Sequence, residues 1–353
     1  MTDDFVLKRF IPEEATLAEF SARNVLSNAV RKEAYPEDPP YSDDFAKRNA
    51  LGWAEMKATD MHVYNLWRSS EVAAELFAWV EHHDENQHLM DARIMVLPAY
   101  RRRGLATRLL KTLLEIAESN NRSLITGPTR SKAPAGETFA EVLGARRGLK
   151  EDVNLLRLED VDRSLLAVWQ EVPDNVHTEF ALDIKEGPYP EVTLTEVAEL
   201  TQVMNTAPRG ELEVEDFTVT SEELRQWEAY HAAQGLTRWT VFVRHKLSGE
   251  LAGFTELFYD PENPTKMTQE ATGVLPKYRG HRLGKWIKAA MLSKVLAERP
   301  EVRTILTGNA SSNAAMLGIN HKLGFKLYQT VTVWQLKSSD LKRYLESRKD
   351  ATV

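Results

Sequence analysis

Apolar positions between residues 105 and 117 fall at Ala106, Leu109, Leu110, Leu113, Leu114 and Ala117, the i, i+3, i+4 spacing of a helix that buries one stripe against a sheet. The stripe returns later in the chain as Leu283, Ile287, Ala290, Met291 and Val295, and Pro300 closes that segment. Ahead of each helix lies an apolar and aromatic run, Val72 to Val80 and Leu251 to Phe258. Each run leads through a polar turn, His82 to Gln87 or Asp260 to Thr265, into another strand, and so predicts an antiparallel hairpin. A further turn, Leu247-Ser248-Gly249-Glu250, separates Trp239–His245 from the second run. The pattern predicts an α/β fold with a mixed sheet and helices on both faces, occurring twice.

The repetition is also literal. Val96-Leu97-Pro98-Ala99-Tyr100-Arg101-Arg102-Arg103-Gly104-Leu105-Ala106 recurs as Val274-Leu275-Pro276-Lys277-Tyr278-Arg279-Gly280-His281-Arg282-Leu283-Gly284. At nearly the same separation Ser123–Gly127 matches Thr304–Gly308, and Leu143-Gly144-Ala145 matches Leu323-Gly324-Phe325. One long repeat means two similar domains rather than a solenoid, and 353 residues suit two cores. Asn154–Leu158 reads as the closing strand of the first copy and Phe180–Ile184 as the opening strand of the second. The expected division is therefore 1–160, a linker at 161–178, 179–340, and a charged tail at 341–353, with Lys337–Lys349 reading as a solvated helix.

Composition narrows the function. With 42% hydrophobic and 27% charged residues, and no apolar run near the roughly 20 residues of a membrane span, the chain reads as a globular protein. The acidic start Met1-Thr2-Asp3-Asp4 lacks the marks of a secretory signal, so a cytoplasmic location is expected. A net charge of −7 argues against nucleic-acid binding. The absence of cysteine excludes disulfides, thiolate metal sites and an enzyme-bound thioester. His82, His83 and His88 lack metal-ligand spacing, and no metal is expected. The eight tryptophans read as core or packing residues, and the oligomeric state stays open. Positive charge gathers where the two repeated helices begin, which suits a compact anionic ligand.

The string Arg101-x-x-Gly104-x-Ala106, after a strand ending in Val-x-Pro, and its partner Arg279-x-x-Arg282-x-Gly284 resemble the acetyl-CoA loop of the GCN5-related N-acetyltransferases. The tandem arrangement resembles mycothiol synthase-like members. The resemblance implies two tandem domains of that fold and acetyl-CoA as co-substrate. Its pyrophosphate would be held by N–H groups at a helix start, around Val96, Arg101, Arg102, Arg103, Gly104 and Ala106 in one copy and Val274, Leu275, Arg279, Gly280, His281, Arg282, Leu283 and Gly284 in the other. Arg282 replaces the usual middle glycine, and Gly280 is a neighbouring source of backbone freedom. Family members carry an Asn and, seven residues on, a Tyr before Leu-Gly-Phe. The second copy has Asn313 and Leu323-Gly324-Phe325, with Asn320 in place of the tyrosine; the first has Ala133 and Ala140.

The resemblance implies direct transfer of acetyl to a small-molecule amine, the acidic chain leaving a cationic one plausible, with catalysis in the C-terminal copy. The N–H of Val274 or Leu275 would face the oxyanion. Glu270, placed by alternation on the same face as Thr272, is the first candidate base and Glu256 the second; both also read as solvated glutamates. Tyr328 is a candidate acid for the departing thiolate, beside solvent. Asn309, Asn313 and Asn320 read either as pantetheine contacts or as turn and cap residues. The competing reading is a non-catalytic acyl-CoA-binding or interaction scaffold, which the missing tyrosine favours.

Overall fold

The computed structural model describes residues 4–350, and the side chains of residues 4–348. In chain order the elements are β1 (Val6–Phe10), α1 (Leu17–Ala34), α2 (Asp43–Ala54), β2 (Thr59–Arg68), β3 (Glu71–Glu81), β4 (Leu89–Val96), α3 (Leu105–Ser119), β5 (Leu124–Arg130), α4 (Ala135–Val142) and β6 (Arg146–Arg157). Then come α5 (Arg163–Gln170), α6 (Asp174–Glu179), β7 (Phe180–Glu186), α7 (Leu194–Thr201), α8 (Ser221–Ala233), β8 (Thr237–His245), β9 (Leu251–Tyr259), β10 (Lys266–Val274), α9 (Leu283–Glu298), β11 (Thr304–Ala310), α10 (Ala314–Lys322), β12 (Lys326–Lys337) and α11 (Ser338–Asp350). Both helices read from the apolar stripes and both hairpins are present. No described helix is long and apolar enough to cross a membrane.

The chain forms two compact units, but not by a single cut. Among the described residues, unit 1 holds 4–150, 210–215 and 330–350; unit 2 holds 151–209 and 216–329. The expected division at 160 and 179 is thereby corrected. β6 pairs with β11 from Arg157↔Thr304 to Glu151↔Ala310, and β12 pairs with β5 from Lys337↔Leu124 to Val331↔Arg130. Asn154–Leu158 thus closes the second sheet, not the first. The expected linker contains α5 and α6, whose Leu166, Trp169 and Val176 are buried in the core of unit 2. The expected solvated tail is likewise anchored: Leu341 and Leu345 of α11 are buried against α3 in unit 1. Two leucines four apart on a charged helix suffice to dock one face.

Strand order is β1-β2-β3-β4-β5-β12 in unit 1 and β7-β8-β9-β10-β11-β6 in unit 2. The pairs are antiparallel except β4–β5 and β10–β11. Each parallel pair is short. β10 bonds β11 only from Lys266↔Thr304 to Gln269↔Thr307, and β4 bonds β5 only from Leu89↔Leu124 to Asp91↔Thr126. Beyond those points the strands part, because β11 continues along β6 and β5 along β12. Each unit therefore has a wedge in the middle of its sheet, beside the start of α3 or α9.

In unit 2 opposing residues sort the two sheet faces. Trp239, Leu257, Gln269, Thr307 and Asn154 share one face, the one α9 covers, since Trp239, Val241, Leu257, Met267 and Ile305 form one core with Ile287, Met291 and Val295. Thr240 and Glu256 share the other, where Phe242 and Phe254 pack with Leu194, Val197 and Leu224 of α7 and α8.

Candidate active site

The two loops adopt one backbone conformation with different residues. Arg102 and Gly104 have φ of 62° and 80°; Gly280 and Arg282 have 87° and 63°. Each loop thus has two left-handed positions, one glycine and one arginine, in opposite order. The conformation is the same at Arg282 as at Gly104, at the cost of holding a residue with a Cβ where glycine is at ease. Arg282→Gly is expected to raise the stability of unit 2 by about 1 kcal/mol, read as a higher urea midpoint; an unchanged or lower midpoint would show that the arginine makes compensating contacts.

These turns lay bare a row of donors. None of the N–H groups of residues 280–284 has a hydrogen-bond partner among the described residues, and α9 starts there with its positive dipole end. The N–H groups of residues 102–106 are equally free at α3. Such a concave run of amides fits a pyrophosphate. Leu283 contributes only its backbone, its side chain lying in the core, and the His281 ring stands against Phe180. The Arg103 guanidinium lies over the Tyr100 ring.

The leading arginines do not face that row. Arg279 folds back along its strand, Nε donating to the Val274 carbonyl at 3.0 Å and Nη2 to Thr206 Oγ1 at 2.6 Å. Arg101 does the same with the Val96 carbonyl, at 3.2 Å, and grips both carboxylate oxygens of Glu33 at 2.8 and 2.6 Å. Expected as anion ligands, both brace the loop from behind.

At the wedge of unit 2, the Leu275 N–H donates to the Ala252 carbonyl at 2.9 Å, which removes it as an oxyanion donor. By the alternation of an antiparallel ladder, Val274 then turns its N–H away from β9 and into the wedge. Between Gln269 and Thr272 the register against β9 shifts, so that Glu270 and Ala271 bulge opposite Glu256. The bulge corrects the expected alternation: Thr272 returns to the face of Gln269, where its hydroxyl meets that of Thr255 at 2.7 Å. Glu270 instead projects on the face of Glu256, with no hydrogen-bond or ion-pair partner among the described residues. Water reaches its side chain, yet the protein packed about it removes enough hydration to raise its pKa, and the Glu256 and Glu151 carboxylates raise it further.

Glu256 is tied in more closely. Tyr189 donates to its Oε1 at 2.6 Å and lies 2.9 Å from the Thr240 hydroxyl. Arg238 packs over the Tyr189 ring at 3.5 Å, pairs with Glu228, and holds its Nε 3.9 Å from Glu256. Burial raises the Glu256 pKa, while Arg238 and the Tyr189 hydrogen bond oppose it. This network had no signal in the sequence, because Tyr189, Glu228, Arg238 and Glu256 belong to four separate segments.

The remaining candidates are placed as follows. Asn313 caps α10, accepting from the Met316 N–H at 3.2 Å. Asn320 is fully buried, its amide donating to Asn309 Oδ1 at 2.7 Å while its own Oδ1 has no partner. Tyr328 is half-buried on β12. His82 bonds Asp60 and His88 the Glu213 carbonyl, and no cluster able to hold a metal is present among the described residues.

Residues 26–136 and 202–325 match the model of the acetyltransferase (GNAT) family. The chain belongs to that family. It is a tandem GNAT acyltransferase, whose fold is one that binds acetyl-CoA. A tandem GNAT protein from the clavulanic acid biosynthesis pathway matches with a TM-score of 0.77 at 23% identity, covering 95% of this chain and 98% of its own. A GCN5-related N-acetyltransferase from Sphaerobacter thermophilus matches at 0.64 and 15%, covering 96% and 97%. A putative acetyltransferase from Pyrococcus horikoshii matches at 0.55 and 13%, covering 96% and 90%. These likenesses concern the fold; no curated protein matches.

The two GNAT units differ at the wedge. In unit 1 β4 pairs with β3 without a register shift, and Ala92, in the place of Glu270, faces Ala78. A Cβ on Gly127 would lie 2.6 Å from the Ala92 carbonyl oxygen, so the strands are still in contact there; at the matching Gly308 nothing lies within 4 Å. Unit 1 has the loop without counterparts of Glu256 and Glu270, the carboxylate at its wedge being Asp91, bonded to the Thr126 hydroxyl; unit 2 has the loop and both glutamates.

Proposed function

We propose that unit 2 transfers acetyl from acetyl-CoA directly to the amine of a small, cationic acceptor. The observation that carries this reading is the β10 bulge, which turns Glu270 to the face of Glu256 on the strand that borders the wedge and ends at Val274. Acetyl-CoA supplies an acyl group activated as a thioester, and the free N–H groups of residues 280–284 suit its pyrophosphate. An ammonium acceptor releases one proton to solvent to become the free amine; Glu270 takes the second, which nitrogen loses as the C–N bond forms, and the Val274 N–H faces the carbonyl oxygen as negative charge develops. Glu256 and Glu151 add negative charge on the acceptor side, which favours an ammonium over a neutral amine in the encounter. The kinship with the mycothiol synthase-like branch rests on the tandem arrangement alone.

Unit 1 retains a loop able to take the same coenzyme. Calorimetric titration of acetyl-CoA into the whole protein is expected to show saturable binding at one or two molecules per chain. Thiol release with cationic amines should exceed that with neutral ones. Binding with no turnover across both amine classes would favour the scaffold reading, and no binding at millimolar ligand would remove the coenzyme from the account.

A further inference from the structure

Lys288 lies in the middle of α9, 3% exposed, with no hydrogen-bond or ion-pair partner among the described residues. The fold does not ask for a cation there: the matching position of α3 in unit 1 is Leu110, buried in an apolar core. An unpaired buried ammonium is costly, so its surroundings call for an explanation.

The face of α9 that carries Lys288 is fixed by Gly284, one turn earlier. A Cβ on Gly284 would stand 3.6 Å from Ile319 Cδ1 and 4.0 Å from Val274 Cγ2, so this face looks toward α10 and the end of β10. Side chains on a helix lean toward its N-terminus, which aims the lysine stem back toward Gly284 and the wedge. Ile319 adjoins Asn320, the residue that stands where the resemblance expects a tyrosine to meet the departing sulfur. Asn320 is too short for that task and its amide is held by Asn309. Two carbonyl oxygens in this region, Asn320 Oδ1 and Asn154 Oδ1, are fully buried and lack partners.

We infer that Lys288 is the proton donor to the coenzyme sulfur, taking from α9 the part that the missing tyrosine would play from α10. As the carbon–sulfur bond breaks, its electron pair stays on sulfur and a Nζ proton moves to it. The amine left on Lys288 then regains a proton from solvent, while the acceptor's proton has gone to Glu270 on the opposite face. Burial alone brings the Lys288 pKa down from the ordinary lysine range to about 7, which makes it a far readier donor than an exposed lysine. On its side of the sheet Gln269 of β10, Thr307 of β11 and Asn154 of β6 are neutral; the charged groups there are Asp152 of β6, held by the Ser311 hydroxyl at 2.7 Å, and Lys294 and Arg299 over the Trp239 ring of β8. Asn320 of α10 is neutral as well.

The inference rests on the coenzyme reading of unit 2, and its test separates the two. Binding of coenzyme A and of desulfo-coenzyme A to the full chain is compared calorimetrically in the wild type and in Lys288→Met, a substitution that keeps the stem and suits a site where unit 1 has leucine. The wild type is expected to prefer the thiol by about fivefold or more, the scale of a charge-assisted contact, and Lys288→Met to lose that preference. Equal preference in both proteins would overturn the inference while leaving the coenzyme site intact; no binding of either ligand to the wild type would remove the site itself. With a responsive amine, kcat of Lys288→Met should fall by about 10²-fold, and wild-type kcat should decline as pH rises through about 7, where the donor loses its proton. A wild-type kcat with no such decline also overturns it.

Discussion

Glu270→Gln is expected to lower kcat for amine acetylation by about 10²- to 10⁴-fold, the usual worth of a positioned base, with acetyl-CoA affinity changed by less than about twofold. Glutamine keeps the size and one oxygen of the side chain but cannot accept the proton. Glu270 has no internal partner and stands on the face of β10 away from α9, so its removal leaves the loop and the α9 core untouched. The pH dependence gives a second reading. Because burial and two carboxylates raise the Glu270 pKa, activity should fall on the acid side at a higher pH than an ordinary glutamate near 4.3 would dictate. Below that pKa the base is protonated and inactive; above it the base is fully available, and the alkaline limb is the one set by Lys288. Glu256→Gln removes one of the charges that hold this pKa up, so its acid limb should move to lower pH, while Tyr189, Arg238, Thr240 and Glu228 remain around the substituted side chain. Glu270→Gln retaining more than about a third of wild-type kcat would place the base elsewhere, since a genuine proton acceptor accounts for at least a hundredfold.

Trp239→Ala is expected to destabilise unit 2 by about 3–5 kcal/mol, the range for emptying a large buried aromatic site. Trp239 is 1% exposed, stands beside Leu257 of the adjacent strand β9, and lies in the core that α9 closes. Lys294 sits 4.5 Å and Arg299 5.5 Å from its ring, so cation–π contacts go with the packing. The same core positions the start of α9, and with it the amides of residues 280–284. Urea unfolding followed by circular dichroism should show an earlier transition for part of the chain, with weaker coenzyme binding at the C-terminal loop. Trp239→Phe should cost less: it keeps most of the apolar contact and deletes an indole N–H that is buried without a partner. A loss below about 1 kcal/mol for the alanine variant would mean that the site collapses around the gap.

Much of the fold could be read directly. The stripes ending at Ala117 and Val295 became α3 and α9, and the runs at residues 72–80 and 251–258 became β3 and β9. The loop residues were legible because left-handed turns and helix starts depend on a few adjacent residues, and the two copies confirmed each other. The destination of β6 and β12 was not. Asn154–Leu158 and Lys326–Lys337 are alternating apolar strands that suit an edge of either sheet, and nothing local distinguishes the neighbours they pair with. The tail was misjudged for a similar reason, since two leucines among charges look solvated until a hydrophobic groove is present to receive them.

For the site, the division follows the range of the forces involved. The sequence by itself determined that a GNAT-like pattern occurs twice, that each copy carries the same Arg/Gly loop at a helix start, and that Glu256 and Glu270 lie on strands leading to the second. Only the tertiary structure decided which face each group takes. A bulge between Gln269 and Thr272 sends Glu270 to the side of Glu256, because shifting a strand by one residue reverses its side chains. The same kind of decision turns Arg101 and Arg279 behind their loops, seals Asn320 in the interior, and strips the water from Lys288. These outcomes depend on which strands and helices meet at a given level, and on the loss of hydration when they do, neither of which is written in the order of residues along one segment.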